Sequence, residues 1–134
     1  MSEFEDVKKE DFLIKIEDIT FIGEIKGIMS NVKSEHISQL DVHYQNYLDK
    51  LQEAEIHENV KGLLIINPFR NTPINERKPV HDNQITLAER NGSLIITTDI
   101  LLKLFEKFLT KELDTSEILK LFNDKTGLLT SNDL

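Results

Sequence analysis

The feature that most constrains the fold is the apolar run within VKGLLIINP, Val60 to Pro68, which lacks polar residues at alternate positions. A strand with one exposed face shows alternation, so this run is typical of a strand buried on both faces of a sheet. Before it lies a segment with an apolar stripe at helical spacing, formed by Ile37, Leu40, Tyr44, Tyr47, Leu48 and Leu51. A strand, a long amphipathic helix and a buried strand in succession predict a right-handed parallel crossover in an α/β fold.

Two β-rich segments precede that helix, DFLIKI (Asp11 to Ile16) and ITFIGEIKG (Ile19 to Gly27), with only two residues between them. This spacing predicts a tight antiparallel hairpin. Glu24 and Lys26 lie two residues apart in the second segment, so strand alternation points both side chains to the same face. They form either a surface ion pair or part of the active site of a metal-dependent nuclease.

The segment after the buried strand, residues 67–79, contains all three prolines and is predicted to be a loop. A short helix is expected near Asp82 to Asn91 and should end at Gly92. The apolar segment SLIITT, Ser93 to Thr98, is predicted to be a further strand.

Two amphipathic helices are expected in the last third of the chain. The first contains ILLKLFEKFL, residues 100–109, and the second begins at a capping box formed by Asp114 and Glu117. We therefore predict one α/β domain over residues 1–126, with a mixed central sheet and helices on both faces. Residues 127–134 are expected to form a flexible C-terminal tail.

Composition limits the location and the partners. The chain has no cysteine and no apolar run of membrane-spanning length, so we expect a cytoplasmic protein without membrane association. The net charge of −8 argues against a nucleic-acid partner. The acid excess is confined to residues 1–60, with 6 Lys and Arg against 14 Asp and Glu, whereas residues 61–134 carry 10 of each.

The hairpin brings together three groups that suit phosphodiester hydrolysis. Asp11 begins the first strand, and Glu24 and Lys26 lie on the second, so the three side chains can converge. Two carboxylates suit a hard cation such as Mg²⁺, which keeps several waters and needs few protein ligands. A neighbouring lysine can orient the attacking water or stabilise negative charge on the phosphate.

This order of Asp11, hydrophobic strand and GEIKG resembles the PD-(D/E)xK restriction-endonuclease-like superfamily. The resemblance covers residues 10–110, including KGLLIINPFRNTPINER and AERNGSLIITTDILLKLFE. It implies a restriction-endonuclease-like fold, hydrolysis of nucleic acid, and DNA rather than RNA as the substrate. It also implies that Asp11, Glu24 and the backbone carbonyl of Ile25 bind Mg²⁺ or Mn²⁺, while Lys26 assists catalysis. Many RecB-like members add a Gln-x-x-x-Tyr motif on the next helix. Here Gln39 matches, which makes it a second candidate catalytic residue, while His43 stands where the tyrosine would fall.

One edge of the long helix carries no acidic residue, as a surface beside bound phosphate should. It is formed by His36, Gln39, His43, Asn46 and Lys50. An unevenly solvated helix face would look the same. The two histidines also have metal-binding spacing, but the sequence offers no third ligand of zinc-site pattern.

The loop after the buried strand supplies further candidates, because open α/β sheets bind ligands beyond the carboxyl ends of their strands. Asn67 and Arg70 lie there, and Arg70 either holds a phosphate or pairs with Glu76.

The competing interpretation keeps the fold without the chemistry, as an interaction or dimerisation module. The net charge of −8 favours it. The strand Asp11 to Ile16 should be an unprotected sheet edge, so we expect a homodimer formed through this edge or through the apolar face of residues 100–109. A third interpretation is that the chain is part of a longer polypeptide.

Overall fold

A computed structural model describes residues 10–134, which form a five-stranded mixed sheet with four α-helices. The strands lie in the spatial order β1-β2-β3-β4-β5. Only the β1–β2 pair is antiparallel, and the other pairs are parallel. The predicted α/β fold, hairpin and parallel crossover are thus confirmed. The strands are β1 (Phe12–Ile16), β2 (Ile19–Gly27), β3 (Asn59–Asn67), β4 (Leu94–Thr97) and β5 (Gly127–Leu128).

Helices cover both faces of the sheet, as predicted. They are α1 (Ser34–Glu53), α2 (Asp82–Asn91), α3 (Thr98–Leu109) and α4 (Thr115–Asp124). Leu64 of β3 belongs to the core shared with α1 and α2, whereas its neighbour Leu63 belongs to the core shared with α3 and α4. Both residues are at most 4% exposed. Burial on both faces explains why β3 has no polar alternation.

Two predicted helix-end signals, Gly92 and the Asp114/Glu117 capping box, are confirmed. Gly92 ends α2 in the left-handed conformation, with φ of 74°. The capping box of α4 is confirmed, since the Asp114 carboxylate accepts from the Glu117 amide at 2.8 Å and the Glu117 carboxylate accepts from the Asp114 amide at 3.0 Å. Helix α1 begins at Ser34, and Lys33 occupies its N-cap position.

The C-terminal segment corrects the predicted domain boundary. Residues 127–128 form the edge strand β5 beside β4, and Leu129 is 1% exposed in the core. The Leu129 amide donates to the Ile95 carbonyl at 3.0 Å, and Lys125 pairs with Asp133 at 3.3 Å. The folded domain therefore continues past residue 126. The segment has no periodic pattern, and it is fixed by the burial of Leu129, by its pairing with β4 and by the Lys125–Asp133 ion pair.

The parallel strands β2, β3 and β4 all end at one edge of the sheet, which we call the carboxyl edge. Gly27 at the end of β2 is in register with Asn67 at the end of β3. The loops that lead into α1 and α2 therefore leave the sheet side by side. None of the helices within residues 10–134 has the length and apolar character needed to cross a membrane.

Candidate functional site

The structure brings Asp11 against the strand that carries Glu24 and Lys26. The Asp11 amide donates to the Gly23 carbonyl at 2.9 Å, and Oδ2 of Asp11 accepts from the Ile25 amide at 2.8 Å. The Asp11 carboxylate therefore takes the place of a β1 backbone carbonyl just beyond the end of that strand. This contact fixes its position next to Glu24.

The carbonyl of Ile25 faces the same place. Within a strand, the N–H and C=O of one residue point to the same side, and the Ile25 amide points toward Asp11. The β1 ladder begins opposite Gly23, so the Ile25 carbonyl lies beyond the last paired residue. The Ile25 carbonyl and the Asp11 carboxylate are therefore on the same side of β2.

Gly23 lets the hairpin pack closely beside this site. A Cβ atom at Gly23 would come within 2.6 Å of the Leu63 carbonyl oxygen and would overlap the Phe12 ring. The first glycine of GEIKG is therefore favoured by packing, because a side chain there would displace the Phe12 ring and press against the backbone of β3.

Glu24 is buried on the α1 face of the sheet, with only 4% of its surface exposed. Burial raises the pKa of its carboxyl above the ordinary value of 4.5, and the nearby negative charge of Asp11 raises it further. The positive charges of His43 and Lys26 act in the opposite direction without cancelling the rise. A cation bound between the two carboxylates would offset both causes.

Lys26 lies on the same face as Glu24, as strand alternation predicted. It is partly exposed, and its charge acts on both Glu24 and His36. Among the ion pairs formed within residues 10–134, Glu24 has one with His43 and none with Lys26. The simple interpretation of Glu24 and Lys26 as a surface ion pair therefore does not describe this strand.

His43 is the group that sequence reasoning did not place in the site. Its Nε2 atom lies 3.6 Å from Oε1 of Glu24, and the two side chains are 9% and 5% exposed. The available signal was its spacing of four residues from Gln39 on the acid-free edge of α1. That edge now packs over β2, so His43 contacts the carboxylate from the helix side.

His36 has a structural role at the start of α1. Its Nδ1 accepts from the Lys33 amide at 3.0 Å, which closes the first turn of the helix. Burial lowers the pKa of the imidazole, so the neutral form that accepts this bond is favoured. A zinc site built on His36 and His43 gains no support from this arrangement, since the Nδ1 lone pair of His36 accepts a hydrogen bond and Nε2 of the neutral ring carries the proton.

Gln39 lies on the same edge of α1, between His36 and His43 in the sequence. Its side chain is exposed to solvent. At 100° per residue it falls about 40° from His43, on the outer side of the helix. The structure therefore places Gln39 beside the site. Within the described residues, its side chain forms no hydrogen bond with Asp11 or Glu24.

The donor set fits a hard cation with few protein ligands. Asp11 and Glu24 supply carboxylate oxygens and Ile25 supplies a carbonyl, which are the ligand types that Mg²⁺ and Mn²⁺ take. In the described part of the chain, no three His, Asp or Glu side chains are grouped closely enough to hold a metal on their own. A metal here would rely on the two carboxylates, the backbone oxygen and water.

The chain matches no protein-family model, no curated protein and no solved structure. The resemblance to the restriction-endonuclease-like superfamily therefore rests on the residues of this chain and on their arrangement.

Proposed function

We propose that this chain is a metal-dependent, nuclease-like domain of PD-(D/E)xK type that hydrolyses phosphodiester bonds of nucleic acid, DNA in preference to RNA. The observation that carries the proposal is the buried Glu24, whose carboxyl has a raised pKa and lies next to the Asp11 carboxylate. A folded protein rarely buries a carboxylate beside another unless a cation or a reaction requires it. Lys26 on the same strand face supplies the third group.

Asp11, Glu24 and the Ile25 carbonyl would hold Mg²⁺ or Mn²⁺. The bound cation supplies Lewis acidity and a water of lowered pKa. Asp11 is held for this role by the Ile25 amide, so its carboxylate does not need to reorganise. His43 steadies Glu24 from the helix side at 3.6 Å.

Two observations support a role for Lys26 toward the substrate rather than toward the carboxylates. It is partly exposed and forms no ion pair with Glu24. Its ammonium group can therefore orient the attacking water or stabilise the charge that develops on the phosphate. The flexible stem of lysine allows either contact.

The test is cleavage of single-stranded and duplex DNA and RNA with Mg²⁺ or Mn²⁺. Lys26→Ala is expected to lower cleavage by about 10²-fold or more, because it removes a group that acts in the transition state. Metal-induced thermal stabilisation should persist, since the carboxylates remain.

Lys15→Ala is the matched control, because Lys15 lies on the neighbouring strand and is paired with Glu58 at 3.0 Å. It should cleave as well as the parent protein. A Lys26→Ala variant with undiminished cleavage would remove Lys26 from the mechanism, and a parent protein that cleaves none of these substrates would contradict the proposed activity.

A second candidate function, a nuclease-fold dimerisation module without catalysis, is favoured by a different surface. An apolar groove of about 420 Å³ lies between the hairpin and α4, and it includes Ile14, Ile25 and Ile118. Ile14 is 46% exposed and Ile25 is 59% exposed. The neighbouring helix α3 also exposes apolar side chains, namely Leu102, Phe105, Phe108 and Leu109.

The occupant of this groove would be a second copy of the chain. One chain presents both an apolar groove and an apolar helix face, so a two-fold axis lets each copy donate its helix and receive the other. Ile14→Asp should then give a monomer in sedimentation at micromolar concentration. Leu13→Asp, on the opposite face of the same strand, should leave a dimer intact. A parent protein that is already monomeric would contradict the dimer.

A further inference from the structure

The loops at the carboxyl edge form one continuous surface next to the site. The Phe69 amide donates to the Ser30 carbonyl at 3.1 Å, and the Arg70 amide donates to the Ile28 carbonyl at 2.9 Å. Further along, Nδ2 of Asn31 donates to the Pro79 carbonyl at 3.0 Å. The loop between β2 and α1 and the loop between β3 and α2 are therefore joined along their lengths.

Four cationic side chains lie on these two loops, and a fifth lies at the end of β2, just before the first loop. We call this the carboxyl-edge surface, and its cations are Lys26, Lys33, Arg70, Arg77 and Lys78. Residues 26–36 and 67–81 contain only two carboxylates, so the surface carries a formal charge of +3 in a chain of net charge −8. These two segments therefore carry a local positive charge in a chain whose total charge is negative.

One cation of this surface, Arg77, is held by neutral partners. Arg77 donates from Nε to the Thr72 carbonyl at 2.8 Å and from Nη1 to Oδ1 of Asn67 at 2.6 Å. None of the five joins an ion pair with another residue of the described range 10–134. The predicted alternative of an Arg70–Glu76 pair is therefore not formed.

Arg70 connects the surface to the candidate site. Its Cδ atom would lie 3.7 Å from a Cβ atom at Gly27, and Gly27 directly follows Lys26. Arg70 itself is exposed, so its guanidinium can reach a ligand lying across the end of β2. Guanidinium groups bind phosphate oxygens through two parallel hydrogen bonds.

We propose that the carboxyl-edge surface binds the phosphodiester backbone of nucleic acid and guides one strand across the end of β2 to Lys26. Binding is a property of the loop cations alone, while its use in delivering a scissile phosphate to Asp11 and Glu24 rests on the proposed function. Phosphate contacts position a strand without reading its sequence. The excess of cations on residues 26–36 and 67–81 reduces the objection raised by the negative total charge.

The test measures binding of fluorescently labelled single-stranded and duplex DNA by anisotropy in EDTA, where no metal-dependent cleavage occurs. The variant Arg70→Gln/Lys78→Gln removes two exposed cations and leaves the hydrogen bonds of Arg77 to Thr72 and Asn67 intact. The slope of log K against log salt concentration should fall by about two for this variant, since each lost phosphate contact removes about one unit.

The control is Arg90→Gln/Lys103→Gln, which removes one exposed arginine and one exposed lysine from α2 and α3, outside the carboxyl-edge surface. It should bind like the parent protein. Equal binding by the two double variants would overturn the proposal, and so would a parent protein that binds vesicles of anionic lipid but neither oligonucleotide.

The two proposals can fail separately. Loss of binding in Arg70→Gln/Lys78→Gln, together with a parent protein that never cleaves, would support the surface and contradict the nuclease. Cleavage by the parent that is unchanged in this double variant would support the nuclease and overturn the surface.

Discussion

The two faces of β2 distribute polar and apolar groups in opposite ways. On the α1 face, Glu24 is a carboxylate with 4% exposure, while on the α4 face the adjacent Ile25 is 59% exposed. Folded proteins usually expose carboxylates and bury isoleucines. Both exceptions occur in two consecutive residues of β2. We propose a cation as the partner of the first exception and a second protein surface as the partner of the second.

The largest expected effect compares two isoleucines of this one strand. Ile22 is 0% exposed on the α1 face, so Ile22→Ala should lower the free energy of unfolding by about 2–5 kcal/mol. Ile25→Ala should change it by less than about 0.5 kcal/mol, because little burial is lost. Urea unfolding of both variants at a concentration where the protein is monomeric makes this comparison. Similar losses would show that Ile25 is buried in solution.

The next effect concerns the helix that forms one wall of the apolar groove. Asp114→Ala removes the side-chain acceptor for the Glu117 amide and should cost about 1 kcal/mol. Ser116→Ala, at an exposed neighbouring position, should cost less than about 0.5 kcal/mol. Thermal unfolding of the two variants measures the difference. An Asp114→Ala variant as stable as the parent protein would mean that α4 does not depend on its cap.

At neutral pH, replacing the buried carboxylate of Glu24 is expected to raise the stability of the fold rather than lower it. The pKa of Glu24 is higher in the folded chain than in the unfolded chain, so the folded state binds the proton more tightly. The free energy of unfolding therefore falls as pH rises from the unfolded pKa through the folded pKa. Glu24→Gln avoids this loss and should unfold at a higher temperature than the parent protein in EDTA at neutral pH.

The advantage of Glu24→Gln should shrink as the pH is lowered toward about 4, where the parent carboxyl is protonated in both states. Melting temperatures of both proteins across this range test the sign. An advantage that is independent of pH would show that burial of the charge is not its cause.

The smallest stability effect is expected at Gln39. Gln39→Ala should change the free energy of unfolding by less than about 0.5 kcal/mol, since the side chain is exposed. Cleavage should nevertheless fall if Gln39 holds water or phosphate beside the site. A large loss of stability with unchanged cleavage would make Gln39 a structural residue.

Much of the fold could be predicted because its signals are local. The hairpin spacing, the apolar stripe of α1, the continuous apolar run of β3 and the glycine after α2 each require only neighbouring residues. The edge strand β5 was missed because its two residues carry no period, and they are fixed instead by contacts with β4. Burial of Leu129 is likewise a tertiary effect.

The candidate site was predictable in part for the same reason. Strand alternation alone puts Glu24 and Lys26 on one face, and the hairpin brings Asp11 close. The hydrogen bond from the Ile25 amide to Asp11 depends on how β1 ends, which the sequence does not specify. The contact between His43 and Glu24 depends on how α1 is rotated on the sheet, and helical periodicity does not fix that rotation.

The central claim, that the buried Glu24 and the neighbouring exposed Asp11 form a cation site, is tested most directly by calorimetric titration of Mn²⁺ into the metal-free protein. We expect binding to the parent protein, together with a melting temperature that rises with Mn²⁺ concentration. Glu24→Gln should lose both effects. Asp18→Asn, which changes an exposed carboxylate at the other end of the same hairpin, should keep both. Binding of Mn²⁺ that is equal in the parent protein and in Glu24→Gln, or absent from both, would contradict the claim.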